Sequence, residues 1–313
     1  MSRTIPTHAL VLTAGLGARL QPLTKIRAKS AIPVAGEPMV RRIVEWLVQN
    51  GVADIVLNLH YLPQTIAAVV GDGSDMAARV RYSWEQPRVL GSAGGPRQAL
   101  PIVGAETFLL VNGDVLTNVD LQALSHLHVT SGALVTLALV PNREPHRYGG
   151  VRLDGGQRVT GFAPPGAAAE LSYHFIGVQM VHANVFRPLP VGQPAESIRG
   201  VYDELIAARP GSIRGFVSNA AFWDVGTVSD YWSTSWSLAE AAGSPDVIGG
   251  SRVHIDATAH VSRSILWDDV DISSDCVLDE CVITDRVSVP RGSRLRRTIL
   301  IRVPDGTQRA FPF

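Results

Sequence analysis

Two glycines and four cations fall within one short stretch near the start of the chain: Gly15, Gly17, Arg19, Lys25, Arg27 and Lys29. Glycines let the backbone approach a ligand closely and aim its N–H groups at an anion. Guanidinium and ammonium groups beside such a turn suit a nucleoside triphosphate. Two familiar phosphate patterns are excluded. G-x-G-x-x-G needs glycine or alanine at position 20, which is Leu20, and a P-loop needs Gly-Lys-Ser/Thr, but neither glycine is followed by lysine. Further on, Asn112-Gly113-Asp114 ends an apolar run. A carboxylate at that strand end, facing the Gly15 turn, is a hard oxygen ligand suited to Mg²⁺ beside phosphates.

The elements that must position these groups follow from periodicity. Ala9–Leu12 reads as a buried parallel strand running into the glycine turn. Val40, Ile43, Val44 and Leu47 share a helical face, and Gly51 ends that helix. Strands are expected at 54–59, 78–84, 107–111, 133–140 and 213–217, and helices at 61–70, 96–100 and 196–208. Asp120 should cap the helix starting at Leu121, and Thr227 one running to about Ala242. Strand–helix alternation at this spacing means βαβ units, and ligands bind at the carboxyl ends of such strands. The run of small residues from Gly91 to Gly95 is expected to pack its backbone against a flat ligand.

Composition narrows the class. Lys+Arg and Asp+Glu number 28 each in 313 residues, so no global field favours nucleic acid or a membrane surface. Two cysteines fit a reducing cytosol rather than a disulfide framework. MSRTIPTH lacks an apolar signal core and no run approaches the length of a membrane span, so a cytoplasmic protein is expected. The histidines converge on no serine or cysteine motif.

Residues 243–250 read as a linker. Beyond it, β-branched and small residues recur at about six-residue steps, as in Val253-x-Ile255, Val270-x-Ile272, Cys276-Val277-Leu278 and Cys281-Val282-Ile283. That pattern suggests a short parallel β-helix with both cysteines inside. The expected domains are 1–243 and 244–313. The second carries none of the phosphate-binding or metal-binding residues and is expected to govern assembly, as a homo-oligomer, rather than chemistry.

Gly15-x-Gly17-x-Arg19, Pro22-x-Thr24, Lys29, Pro33-Val34 and Pro38 resemble the opening of the sugar-1-phosphate nucleotidyltransferases, also called nucleoside-diphosphate-sugar pyrophosphorylases. Leu90-Gly91-Ser92-Ala93-Gly94, Gly113-Asp114, Tyr148-Gly149-Gly150-Val151 and Phe222-Trp223-Asp224-Val225-Gly226-Thr227 resemble later motifs of that family. The resemblance implies an α/β fold with a Rossmann-like, mainly parallel mixed sheet and a small C-terminal left-handed β-helix. It implies that Ala14, Gly15, Gly17, Gln86 and Gly91 bind the nucleotide. Arg19 would hold the triphosphate and Lys29 the charge near the α-phosphate or acceptor phosphate. Asp114 and Asp224 would hold Mg²⁺, and Tyr148, Gly149, Gly150 and Gly177 would meet the sugar phosphate. The substrates would be a nucleoside triphosphate and a sugar 1-phosphate. Two departures stand out. Ala28 replaces the proline before the family's lysine, and Phe162-Ala163-Pro164-Pro165 lacks the family's Glu-Lys pair. Gln86 offers a donor and an acceptor, so guanine, uracil and thymine all remain open. The chain's build is most similar to members that use GTP and mannose 1-phosphate. A regulatory subunit that keeps the fold without turnover is the alternative.

Overall fold

The computed structural model describes residues 6–243 and 245–313. Residues 1–5, part of the stretch in which no signal core was found, and Ser244, at the expected domain boundary, lie outside the described residues. The chain divides into two compact units. One comprises residues up to Gly15, Ile43–Pro63 and Val70–Phe222; the other comprises Leu16–Arg42, Gln64–Val69 and Trp223–Phe313.

The first unit is built on a nine-stranded sheet. Its strands are β1 (His8–Leu12), β2 (Asp54–Leu59), β3 (Arg79–Trp84), β4 (Thr107–Asn112), β6 (Val135–Pro141), β7 (Gly150–Leu153), β8 (Val159–Ala163), β9 (Tyr173–His182) and β10 (Ile213–Val217), with β5 (Val115–Thr117) outside the sheet. The order is β8-β7-β9-β4-β1-β2-β3, and β6 pairs with both β9 and β10. Strands β4, β1, β2 and β3 run parallel, while β9 is antiparallel to β4. The parallel strands are continuous apolar runs because both faces are covered: Leu10, Val56, Phe108 and Leu110 are buried in one core with Val135, Leu137 and Val181.

The helix expected at 61–70 is α2 (Pro63–Val70), and several helices end as the sequence dictates. α1 (Met39–Gln49) is followed by Gly51 at φ 85, whose N–H donates to Val48 at 2.8 Å. Asp120 caps α4 (Leu121–Ser131), accepting from the N–H groups of Gln122 and Ala123. Two expected helices differ. The helix expected at 96–100 is α3 (Gly91–Val103), so the small residues form its first turn. The helix expected at 196–208 is only α5 (Tyr202–Ala208), because Ile198, Arg199 and Gly200 leave helical geometry, Arg199 at φ 61.

In the second unit, α6 (Val228–Ala242) opens with a reciprocal cap: Thr227 accepts from the Asp230 N–H while the Asp230 carboxylate accepts from the Thr227 N–H. The C-terminal strands stack in parallel ladders. Ile248, Ile265, Val282 and Ile299 pair in succession, each 17 residues beyond the last. Each coil gives one strand to each of three such ladders and is one residue short of three six-residue steps. Cys276, Leu278, Cys281, Ile283, Val287 and Val289 fill the interior. Strand Gln308–Pro312 turns back antiparallel on Thr298–Arg302.

Candidate active site

In the sheet unit, the carboxyl ends of β1 and β4 are tied together: the Gly113 N–H donates to the Leu12 carbonyl at 2.9 Å. Asp114 therefore leaves the sheet beside the turn that begins at Thr13. That turn is anchored by a buried polar chain. The Thr13 N–H donates to Asn58 Oδ1 at 2.6 Å and its hydroxyl to the Asn58 carbonyl. Asn58 Nδ2 donates to Glu85 Oε1 at 2.7 Å, and Glu85 Oε2 accepts from the Leu90 N–H at 2.6 Å. Thr13, Asn58 and Glu85 are all buried. A buried carboxylate persists only when its oxygens are hydrogen-bonded. Its removal would leave the Asn58 amide in β2 and the Leu90 N–H at the start of α3 unsatisfied. Sequence reasoning missed this chain. The available signal was Asn58, a polar residue inside an otherwise apolar strand.

The small residues of α3 serve this packing. A Cβ on Gly95 would stand 2.4 Å from Glu85 Oε1, and one on Gly94 2.4 Å from the Gln193 carbonyl. At Gly91, φ is +76 and a Cβ would stand 2.7 Å from the Ala195 carbonyl. The segment around Ala195 is held by the Ala93 N–H at 2.9 Å and by the Ser92 hydroxyl, which donates to Glu196 at 2.7 Å. Gln86 lies exposed just past β3.

The cationic loop belongs to the second unit. Gly17 sits at φ +60, and a Cβ there would meet Thr24 Cγ2 at 2.7 Å and Lys29 Cβ at 3.1 Å. The Thr24 hydroxyl donates to the Gly17 carbonyl at 3.1 Å. Gly17, Thr24 and Lys29 thus form one packed group, and the glycine is required by both its backbone angle and its neighbours. Arg19 and Asp224 both border Gly226: Arg19 Nη2, Asp230 Oδ2 and Asp224 Oδ2 lie 3.4, 3.4 and 3.5 Å from the point where its Cβ would stand. Ala28 has φ −54, an angle proline shares, and its N–H donates to Thr65 Oγ1 at 3.0 Å. Proline could not make that bond.

Around Tyr148 and Gly177, the glycines again abut the chain itself. A Cβ on Gly149 would stand 2.9 Å from the Ala163 carbonyl, and one on Gly150 2.2 Å from Ser172 Oγ. Gly177, at φ +74, lies against Asn112, where a Cβ would approach to 2.9 Å. Tyr148 and His174 stack with centroids 4.2 Å apart, and Phe222 lies 5.1 Å from the His174 ring. Burial brings the His174 pKa down to about 4, opposed by a hydrogen bond to the Gly149 backbone and aided by the nearby Arg147. The Arg147 guanidinium covers the Tyr148 ring at 4.8 Å. Pro164 and Pro165 are exposed.

Residues 8–241 match the family model described as "Nucleotidyl transferase", and residues 244–308 match "GlmU-like, C-terminal hexapeptide". The chain belongs to the nucleotidyl transferase family. A mannose-1-phosphate guanylyltransferase from Mycobacterium tuberculosis is 30% identical over 304 residues, covering 94% of this chain and 84% of that one. An N-acetylmuramate alpha-1-phosphate uridylyltransferase from Neisseria meningitidis is 43% identical over 115 residues, 37% of this chain and 50% of that one. Among solved structures, HddC from Yersinia pseudotuberculosis complexed with GMP-PN superposes with a TM-score of 0.62 at 21% identity, covering 74% of this chain and 99% of that one.

For a nucleotidyl transferase the donor set bears on the metal. Among the described residues, no three His, Cys, Asp or Glu side chains gather as a metal-binding group. A cage made wholly of protein is therefore not what these residues build. A hard cation held by one or two carboxylates and completed by phosphate oxygens fits the available chemistry. No helix among the described residues is long and apolar enough to cross a membrane.

Proposed function

We propose that this nucleotidyl transferase joins a nucleoside triphosphate to a sugar 1-phosphate, with GTP and mannose 1-phosphate the preferred pair. An ionised oxygen of the sugar phosphate attacks the α-phosphorus, the bond from that phosphorus to the β-phosphate bridging oxygen breaks, and pyrophosphate leaves. No general base is needed, because the attacking oxygen already carries its charge. The protein aligns the reactants and screens their charge. Arg19 holds the triphosphate and the departing pyrophosphate, and Lys29 offsets charge at the α-phosphate or acceptor phosphate. Ala14, Gly15, Gly17, Gln86 and Gly91 bind the nucleotide; Tyr148, Gly149, Gly150 and Gly177 line the acceptor side. Asp114 and Asp224 would hold Mg²⁺, which supplies charge neutralisation on the phosphates.

The observation that carries the reading is the packed group of Gly17, Thr24 and Lys29, with Arg19 and Asp224 together at Gly226. The relative named a mannose-1-phosphate guanylyltransferase supports the choice of base and sugar. The protein is read as cytoplasmic, in keeping with two free buried cysteines, and as a homo-oligomer. Pyrophosphate release, screened with four triphosphates against a panel of hexose 1-phosphates, tests the proposal. GTP with mannose 1-phosphate should turn over fastest. A faster UTP or dTTP reaction would reassign the base. No release with any pair would make the chain a regulatory subunit, the reading that Pro164-Pro165 motivates.

A further inference from the structure

The phosphate-handling groups proposed above leave out one buried cation of the same loop. Arg27 is 7% exposed. Its Nε and Nη2 donate to the two carboxylate oxygens of Asp285, each at 2.7 Å, and Nη2 also donates to Asp268 at 2.5 Å. The two aspartates hold the same place on successive coils of the β-helix, and the Asp268 N–H donates to Asp285 Oδ1 at 3.2 Å, 17 residues away. The guanidinium lies over the Trp267 ring at 5.5 Å. Trp267 is fully buried and donates through Nε1 to the Tyr231 hydroxyl of α6 at 2.9 Å. Burial alone would lower the Arg27 pKa, but the bonds and charges of Asp285 and Asp268 outweigh it and hold the group above its ordinary value. Burial pushes the Asp285 carboxyl up against the pull of Arg27, so each charge is tolerated because the other is present.

On the loop side, the next residue is fixed by the Ala28 N–H bond to Thr65, and the one after it, Lys29, opens a single helical turn to Ala31. The backbone that carries Lys29 is therefore tethered two residues upstream, through a buried guanidinium, to two successive coils of the β-helix.

We propose that Arg27 is a positioning residue for Lys29, and that the β-helix contributes to turnover by gripping it through Asp268 and Asp285. The proposal rests on the role given to Lys29 above. Its physical basis is the steep dependence of phosphoryl transfer on alignment, in which a displacement of about 1 Å costs roughly 10²-fold in rate. It departs from the expectation that the repeats serve assembly alone. A fork with two parallel N–H bonds fixes direction as well as distance, which lysine at the same position would not do.

The decisive variant is the full-length triple substitution Arg27→Met, Asp268→Asn and Asp285→Asn. It removes the buried charges together, so no unpaired ion is left to unfold the protein. The thermal midpoint should stay within a few degrees of wild type and the affinity for a non-reactive GTP analogue within about threefold, while kcat falls about 30-fold or more. Arg27→Lys should fall between. In a Lys29→Ala background the triple substitution should cost less than about twofold more, because both changes act through one ammonium group. Wild-type kcat in the folded triple variant overturns the proposal, as does a full additive loss on top of Lys29→Ala. If the triple variant does not fold, folded Arg27→Lys decides in its place, and wild-type kcat there overturns the proposal. Wild-type turnover in Lys29→Ala itself would instead overturn the role of Lys29, and this inference with it.

Discussion

The cationic loop from Gly17 to Lys29 and the acceptor region from Tyr148 to Gly177 both depend on glycine, but for different ends. Gly17 yields space to the side chains of Thr24 and Lys29, so the glycine there lets the stem of a cationic side chain pack. Gly149, Gly150 and Gly177 yield space to a carbonyl, a serine and Asn112, so the glycines there set the course of the backbone. The loop is tied by a hydroxyl–carbonyl bond and a buried ion pair; the acceptor region by a stack of Tyr148, His174 and Phe222. The loop thus carries fixed charges, while the Tyr148 region is shaped by rings and has uncharged, exposed residues at Pro164 and Pro165.

If the charged half carries the rate, its carboxylates should give the largest effects. Asp224→Asn and Asp114→Asn should each lower kcat by about 10²-fold or more with little change in thermal midpoint, since each removes charge stabilisation while keeping shape. Near-normal turnover of either variant at saturating Mg²⁺ would take that residue out of the metal site.

The next effect separates two lysines of one loop. Lys29→Ala should cost at least tenfold in kcat. Lys25 is exposed with its Nζ 5.6 Å from the Phe311 ring centroid, so Lys25→Ala should change kcat by less than about twofold. Equal losses in steady-state kinetics would mean that the charge is spread along the loop and that the contrast with the acceptor region is weaker than drawn.

What could be read from the sequence was local. The caps at Asp120 and Thr227, the glycine after α1, the apolar parallel strands and the buried cysteines all follow from neighbours a few residues apart. What could not be read depended on distant partners. Gly91–Gly95 are poor helix formers, yet α3 starts there because Glu85 receives the Leu90 N–H and the Ala195 segment fills the space a side chain would need. The helix expected from Glu196 fails because Glu196 and Ser197 are drawn to Ser92. The partners of Arg27 lie 241 and 258 residues away, beyond any spacing rule. The 17-residue coil, too, emerges only when the ladders are paired.

A smaller, pH-dependent effect reports on two histidines, His128, which is buried, and His174, which is half-buried. His128 in α4 shares a hydrogen bond with Thr136 at 2.9 Å, and burial, aided by His182, brings its pKa down to about 4. His174, beside Tyr148, Phe222 and Arg147, is lowered to about 4 as well. Their ordinary value is near 6.5, so the unfolded chain takes up protons first as the pH falls. The stability each neutral ring contributes is complete above pH 6.5 and is lost as the pH falls toward 4. Denaturant titrations should show wild type losing its advantage over His128→Gln across that window, by up to about 3 kcal/mol. His174→Gln should show a loss across the same window, since burial lowers that ring to about 4 as well. A constant gap between wild type and both variants from pH 7 to pH 4 would sink this account.

The smallest expected effect lies at the departure from the family's loop. Ala28→Pro restores the family residue at φ −54, close to the angle proline fixes, and stiffening the unfolded chain should stabilise by about 0.4–1 kcal/mol. It also removes the N–H that Thr65 Oγ1 accepts at 3.0 Å, a loss of about 1 kcal/mol. The two terms nearly cancel, so the thermal midpoint should move by no more than a few degrees. A background of Thr65→Val sharpens the test, because the acceptor is then already gone and only the stiffening remains. Ala28→Pro should be stabilising in that background and near neutral in wild type. If it is equally neutral in both, the Thr65 bond contributes nothing and the fixing of the loop between Arg27 and Lys29 rests on the ion pair alone. If it is strongly destabilising in both, the backbone at Arg27 cannot take the extended conformation that a following proline imposes, and the loop is held more tightly than its hydrogen bonds account for.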